Sequence, residues 1–341
     1  MANRGGIDLG GTKIQAVVVG DRGAVLGSTR EPTPTSGGPQ DVAAAMVDAI
    51  RQAADQAGVV PASLEGVGVG SPGVVDDSAG TVANARNLPD WKDAYPLSDV
   101  LAEELDTKVH LGNDVQVATD AEFALGAARP YKSILGVFWG TGVGGGIVLD
   151  GKPWVGRSAA GEIGHMVVRA GGRRCPCGRR GCVEAYAGRL ALERRARELQ
   201  KKGHKTRLFE IMEDRGRDRL TSGVWARALK AGDPVATKLA DQAVKALGAG
   251  IASAVNLLDV EAVVIGGGMG VRLGEPFTNR IREAMIPHLF VDSNPPAVHV
   301  AALGDLGGAI GASLLVKPAG RSTRSTTPRS RPTLAKARSD K

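Results

Sequence analysis

The run Gly6-Ile7-Asp8-Leu9-Gly10-Gly11-Thr12-Lys13-Ile14-Gln15-Ala16-Val17-Val18-Val19 decides the fold. Apolar residues flank a Gly-Gly-Thr turn on both sides, the pattern of two strands joined in a hairpin. Gly23 turns the chain again into a further strand, Ala24 to Ser28. The figure returns about 130 residues later. Ser133 to Trp139 is apolar, Gly140-Thr141-Gly142-Val143-Gly144-Gly145-Gly146 turns, and Ile147-Val148-Leu149 resumes before a turn at Asp150-Gly151. Strand, glycine turn and strand, occurring twice, predict two related α/β halves facing each other across a cleft.

Working outward, Asp41 is expected to cap a helix through Gln56 whose inward face is Val42, Met46, Ala49, Ile50 and Ala53. Leu64 to Val69 reads as a buried strand entering Gly70-Ser71-Pro72-Gly73, and Val109 to Leu111 as another entering Gly112-Asn113-Asp114. Ala185 to Leu258 is mostly helical in pattern. Val260 to Ile265 is a strand running into Gly266-Gly267-Gly268-Met269-Gly270, Val298 to Leu303 is the last strand, and Gly307 to Leu315 is a closing helix.

Composition bounds the function. The chain has 341 residues, 43% of them apolar, which suffices for two cores. Three cysteines cannot all pair within one chain, no charged-then-apolar leader is expected, and no apolar run approaches the roughly 18–20 residues of a membrane span. A reduced, cytoplasmic setting is predicted. The net charge is +7, but residues 321–341 carry seven Lys/Arg against Asp340 alone, leaving 36 bases and 35 acids in the rest. The body is close to neutral, so no specific nucleic-acid partner is expected. The Ser/Thr/Arg/Pro-rich tail, residues 318–341, cannot bury enough apolar surface to order itself and is predicted to be disordered.

The chemistry concentrates in three places. Glycine-rich turns let backbone N–H groups converge on phosphate oxygens, because no Cβ blocks the approach. None of the three glycine runs has the Walker or Rossmann spacing, and tight turns take glycine for steric reasons alone. Jointly they describe a clamp on a nucleoside triphosphate: Thr12 and Thr141 supply hydroxyls, Lys13 a positive charge, and Asp8 a carboxylate for Mg²⁺ or its waters. Asp114 follows a strand at the carboxyl end of a sheet, where it could take a proton from an attacking hydroxyl. The competing reading is that Asn113 or Asp114 simply caps the helix that follows. The third place is Glu162-Ile163-Gly164-His165 and, after nine residues, Cys175-Pro176-Cys177-Gly178-Arg179-Arg180-Gly181-Cys182-Val183-Glu184. One imidazole and three thiols complete a closed tetrahedral zinc site, which positions rather than catalyses; the bland alternative is three reduced thiols in a basic loop.

Asp8 to Lys13, Asn113-Asp114, Gly140 to Gly146, Glu162-x-Gly164-His165 and the cysteine block resemble, in this order and over roughly Gly5 to Val316, the ROK family of bacterial sugar kinases, repressors and open reading frames. The resemblance implies an actin-like, hexokinase-like (ribonuclease H-like) α/β fold of two domains with the active site between them. Residues 1–112, joined by about 304–317, would form the smaller domain and 113–303 the larger. It further implies ATP–Mg²⁺ phosphorylation of a hexose, often glucose, by a homodimer or homotetramer. By position, Asp114 is then the general base for the sugar's 6-hydroxyl. Asn113, Glu162, His165 and Glu184 are sugar ligands, together with Gly73 and Asn87. His165 also joins Cys175, Cys177 and Cys182 on zinc. Gly10, Gly11, Thr12, Lys13, Gly140, Thr141 and Gly142 hold phosphates, with Gly266, Gly267 and Gly268 on the adenosine side.

Two positions depart from the family pattern. Val115-Gln116-Val117-Ala118 stands where Ala-Asn-Ala-Ala or Val-Asn-Ala is usual, so the surroundings of the pocket are expected to differ, and Asp90 stands where glycine is usual, which puts the Asn87 loop in question. Repressors of the family carry a helix-turn-helix before the first domain, and with a first strand at about residue 5 none is expected here. A non-catalytic sugar sensor and a zinc hydrolase are the other classes weighed. Both glycine turns with Asp114 argue against the first, and a zinc without an open position against the second. Fructose, mannose, allose and N-acetylmannosamine stay open beside glucose, as does polyphosphate beside ATP.

Overall fold

In a computed structural model of the chain, residues 3–85, 87–157 and 159–317 are described. The expected disordered tail lies outside them. The first sheet begins as an antiparallel meander of β1 (Arg4–Leu9), β2 (Lys13–Val19) and β3 (Val25–Pro32). After helix α1 (Pro39–Gln56) comes β4 (Val67–Ser71), then a small hairpin of β5 (Val74–Asp76) and β6 (Thr81–Ala83). Helix α2 (Leu97–Leu105) leads to β7 (Val109–Asn113). The order is β3-β2-β1-β4-β7, with β1, β4 and β7 parallel.

Helix α3 (Asp114–Ala124) opens the second half, where β8 (Ile134–Trp139), β9 (Val143–Leu149) and β10 (Lys152–Pro153) again run antiparallel. Five helices follow: α4 (Glu184–Ala187), α5 (Arg189–Lys201), α6 (Leu208–Asp214), α7 (Ser222–Lys230) and α8 (Pro234–Leu258). Then come β11 (Ala262–Gly266), α9 (Gly267–Met285), β12 (Ala297–Val300) and α10 (Gly307–Ser313). The second order is β10-β9-β8-β11-β12, with β8, β11 and β12 parallel. The repeat in the sequence is therefore a repeat of topology. Among the described residues, no helix is long and apolar enough to cross a membrane.

Both faces of the first sheet are covered, which is why Ala16 to Val19 of β2 and Val67 to Gly70 of β4 read as unbroken apolar runs. Ile14, Ala16 and Val18 of β2 join the core made with α1, whereas Val17 and Val19 pack with Ala309 and Ile310 of α10. The valines and Ile14 among them, fully buried, contribute about 1.5–3 kcal/mol each. The last helix approaches closely because β1 and β4 carry glycine beneath it. A Cβ at Gly6 would stand 2.0 Å from Ala309 O, and one at Gly68 1.8 Å from Ala312 O.

Helix α3 is tied to the second sheet and to the chain that returns to the first. Gln116 Nε2 donates to Ile147 O at 3.1 Å, and Gln116 Oε1 accepts the Ile147 N–H at 3.0 Å. The Gln116 departure is thus a clamp from α3 onto β9. The buried Glu122 carboxylate accepts N–H groups from Ala127 (2.9 Å), Ala302 (3.0 Å) and Leu303 (2.8 Å), holding the crossover from β12 to α10.

Several expected boundaries move. Helix α1 starts at Pro39, and Asp41 is not its N-cap; Gly38 is, and the Asp41 carboxylate reaches back to the Gly38 N–H at 2.8 Å. Strand β4 starts at Val67 rather than Leu64, because a 3₁₀ turn at Pro61–Ser63 and Gly66 intervene, although Leu64 is still buried. Strand β12 ends at Val300 because the Ala301 N–H makes a last bond to β11, at Ile265 O, and the next two amides turn to Glu122. Strand β3 runs from Val25 to Pro32, past Ser28, and α10 stops at Ser313.

Candidate active site

The first glycine turn is closed by a Gly10 N–H donating to Lys13 O at 3.0 Å, and by the Thr33 hydroxyl donating to Gly10 O at 2.6 Å. Thr12 is left exposed at its tip. Asp8, at the end of β1, lies under the start of α10, where a Cβ at Gly308 would be 2.7 Å from its carboxylate carbon. Burial raises the Asp8 pKa to about 6, with the Lys13 charge pulling the other way. Burial also lowers the Lys13 pKa against the pull of Asp305 and Asp8, and its Nζ donates to Gln15 Oε1. Asn87, expected on the sugar side, stands against this turn: a Cβ at Gly11 would lie 2.9 Å from Asn87 O. The Asn87 loop keeps a left-handed residue at Asp90, whose φ is 46°, a conformation glycine takes freely and Asp tolerates. Gly73, between β4 and β5, has φ 95° and leaves room for Ala83 O, setting the hairpin that leads into that loop.

At the end of β7, the structure divides the work of Asn113 and Asp114. Asn113 is the N-cap of α3; its Oδ1 accepts from the Val115 and Gln116 N–H groups, both at 3.1 Å. Its amide N–H donors remain for a ligand. Asp114 is the first helical residue and spends only Oδ1, on the Val115 N–H at 2.9 Å. Burial raises its pKa to about 7, and the charges of Asp8 and Glu162 add to the rise. A carboxylate near neutrality, influenced by one acid from each half, is suited to take a proton and give it back.

In the second half, His165 Nδ1 lies 3.7 Å from Cys175 Sγ, while its Nε2 lies 3.8 Å from Glu162 Oε2. One ring nitrogen therefore faces the thiols and the other the exposed Glu162. The ligand atoms of His165, Cys175, Cys177 and Cys182 all lie within 4.8 Å of one another. A tight knuckle holds the thiols, with Cys175 N–H donating to Arg179 O at 2.8 Å and Gly178 N–H to Cys175 O at 3.0 Å. Burial pushes the Cys175 thiol up, a cost that a dication bound by thiolates reverses. Three thiols and an imidazole at this spacing fit zinc as a closed, structural ion.

The same block reaches the second glycine turn. Glu184 Oε2 accepts the Val143 N–H at 2.9 Å, and Glu184 Oε1 lies 3.9 Å from Cys175 Sγ, so one carboxylate oxygen is committed to backbone. Gly140 comes within reach of the third glycine run, a Cβ there standing 3.8 Å from Gly268 N. That run is not a free loop, since Gly266 caps α9 and Gly267 begins it with φ 76°. Two side chains at the turns escaped sequence reading. Thr33 bonds Gly10 O from β3's far end, and Arg189 Nη2 donates to Thr141 Oγ1 at 3.0 Å. Neither belongs to a local motif, and the only signal would have been the strand pairing and loop closure that bring them there.

A family model described as ROK family matches residues 4–319. Over 316 residues the chain is 33% identical to a glucokinase of Thermotoga maritima, covering 92% of this chain and 96% of that one. Among solved structures it resembles a ROK hexokinase from Thermus thermophilus, with 36% identity, TM-score 0.73 and coverage of 92% and 97%. It also resembles a ROK family glucokinase from Streptomyces griseus in complex with glucose and AMPPNP, with 32% identity, TM-score 0.80 and coverage of 92% and 99%. The duplicated sheets are thus those of the actin-like fold, as the sequence led us to expect.

Proposed function

Because the chain belongs to the ROK family, we propose that it is an ATP-dependent hexose kinase, moving the γ-phosphoryl group of Mg-ATP to the 6-hydroxyl of glucose or a related hexose. The observation that carries this reading is Asp114. It is a carboxylate with a pKa of about 7 and one oxygen free of backbone bonds, under the combined charge of Asp8 and Glu162. On this reading Asp114 Oδ2 accepts the proton as the sugar oxygen attacks phosphorus, and the exposed Thr12 and Thr141 hydroxyls with the glycine amides hold the phosphates in line. Asp8 is the carboxylate placed for magnesium or its waters, and the ion supplies charge neutralisation at the phosphates.

Asn113, Glu162, His165, Glu184 and Asn87 are the polar set for the hexose. A ligand of vicinal hydroxyls both donates and accepts, and such a set rejects an analogue that leaves a partner unpaired. Zinc held by His165 and the three cysteines keeps the imidazole and Glu184 in place. We assign residues 1–112 with 304–317 to the smaller unit and 113–303 to the larger, α3 moving with β9 through Gln116.

The test is ADP release from Mg-ATP, measured with glucose, mannose, fructose, allose and N-acetylmannosamine and with Asp114→Asn as the blank. Turnover on one of them that vanishes in the variant is the expected result. No turnover with any sugar, while sugars still bind, would replace the kinase by a sensor.

A further inference from the structure

The second glycine turn is held by the first residues of α5. Arg189 N–H donates to Gly140 O at 3.1 Å and Leu190 N–H to Thr141 O at 3.2 Å, so two amides that a helix start leaves unpaired are spent on the turn. They are not available to an anion. The Arg189 side chain curls back over the same turn, with Nη2 on Thr141 Oγ1 at 3.0 Å and Nη1 on Leu220 O at 3.1 Å. Its charge is not neutralised by either contact. Among the described residues no carboxylate lies within 4.0 Å of it. Glu193, whose charge does reach Arg189, is engaged by Arg197 at 2.7 Å and by the Leu220 N–H at 3.1 Å. Arg219 adds a further positive charge nearby. A half-buried guanidinium with no carboxylate in contact, resting on the second glycine turn, keeps charged N–H donors that an anion at that turn could use.

We propose that Arg189 is a donor-site residue of the second half, binding the non-transferred phosphates of the nucleotide and orienting the Thr141 hydroxyl toward them. A hydroxyl has one donor and two acceptor positions. With Arg189 Nη2 occupying one acceptor position, the Thr141 proton is free to donate to a phosphate oxygen, and the oxygen that carries it is polarised. The other guanidinium N–H groups then meet the phosphates directly. The inference rests on the kinase reading for the identity of the ligand.

The experiment measures ADP binding by calorimetry at two salt concentrations, together with KM for Mg-ATP and for hexose, in wild type, Arg189→Ala, Arg189→Lys and Thr141→Val. Loss of a charge-assisted contact to phosphate predicts that Arg189→Ala weakens ADP binding and raises KM for Mg-ATP by about 10- to 100-fold, with hexose KM within about twofold. The salt dependence of ADP binding should diminish in the same variant. Arg189→Lys, which keeps the charge and loses the fork, should recover part of the loss. Arg189→Ala and Thr141→Val combined should cost less than the sum of the two. ADP affinity and its salt dependence unchanged in a folded Arg189→Ala overturn the proposal, and if that variant does not fold, wild-type ADP affinity in Arg189→Lys with Thr141→Val does so. Wild type that binds ADP through Arg189 but phosphorylates no hexose would defeat the kinase reading while leaving this residue's role standing.

Discussion

The two glycine turns occupy equivalent places in two sheets of one topology, yet they obtain their charges differently. The turn at Gly10–Lys13 carries its own: Asp8 and Lys13 lie within five residues of each other, and both are shifted by burial. The turn at Gly140–Gly142 has no ionisable residue. Glu184 and Arg189, the first residues of α4 and α5, come to it from more than forty residues away and bond Val143 N–H and Thr141 Oγ1. The first turn is built by local sequence and the second by the docking of the cysteine block and α5. A duplicated backbone can therefore keep one strand-turn-strand geometry while the source of the charge at the turn is relocated.

Predictions can break or sharpen this contrast. The largest concerns Asp114, on which the two halves converge. Asp114→Asn, nearly isosteric but unable to take a proton, should cut turnover by about two to four orders of magnitude while hexose affinity changes little. Steady-state kinetics beside a binding titration checks it, and unaltered turnover would remove Asp114 as base. Next is Cys177→Ser, which should detach the imported charges and spare the local ones. It is expected to lose zinc by elemental analysis and to raise hexose KM about tenfold or more, because outer contacts of this kind typically cost 10- to 100-fold.

Acid should act through both halves at once. Asp114 must be ionised to act as base, so kcat/KM should be level above about pH 8 and fall tenfold per unit below about pH 7. A profile flat from pH 5 to 8 would contradict that role. The smallest effect isolates burial from chemistry. Asp120 on α3 is raised to about 7 by burial, opposed by the Gln116 Nε2 donor at 2.7 Å. Its folded pKa exceeds an unfolded value of about 3.9, so its contribution to stability is full below about pH 4 and is lost as pH rises through about 7. Asp120→Asn keeps the acceptor without the charge and should raise Tm at pH 8 by about 2–4 °C, with little change at pH 4. Equal shifts at both pH values would assign the effect to packing.

Much of the first half was legible because its signals are contiguous. Ile7 to Val19 contains two strands, the turn, Asp8 and Lys13, and the buried face of α1 follows from helical spacing alone. The cysteine block was legible for the same reason, since all four donor groups fall within eighteen residues. What escaped depended on partners far along the chain. Sequence left open whether Asn113 or Asp114 caps α3, and hydrogen-bond geometry decided for Asn113, releasing one oxygen of Asp114. The Gln116 departure read as a change beside the pocket and proved to be a clamp on Ile147. Asp90 in a glycine position left its loop in question, and the loop retains a left-handed φ there.

By itself, then, the sequence determined the duplicated strand-turn-strand plan, the grouping of one histidine with three cysteines and the carboxylate at the end of β7. Each is carried by residues close enough for local patterning to express. Only the tertiary structure decided which of Asn113 and Asp114 is spent on a cap, that Gln116 and Glu122 tie α3 to both neighbours, and that Arg189 lies on Thr141. Those outcomes depend on loop closures of tens of residues. A polar side chain's partner is set by what the folded chain brings within 3 Å, which its own neighbours in sequence do not specify.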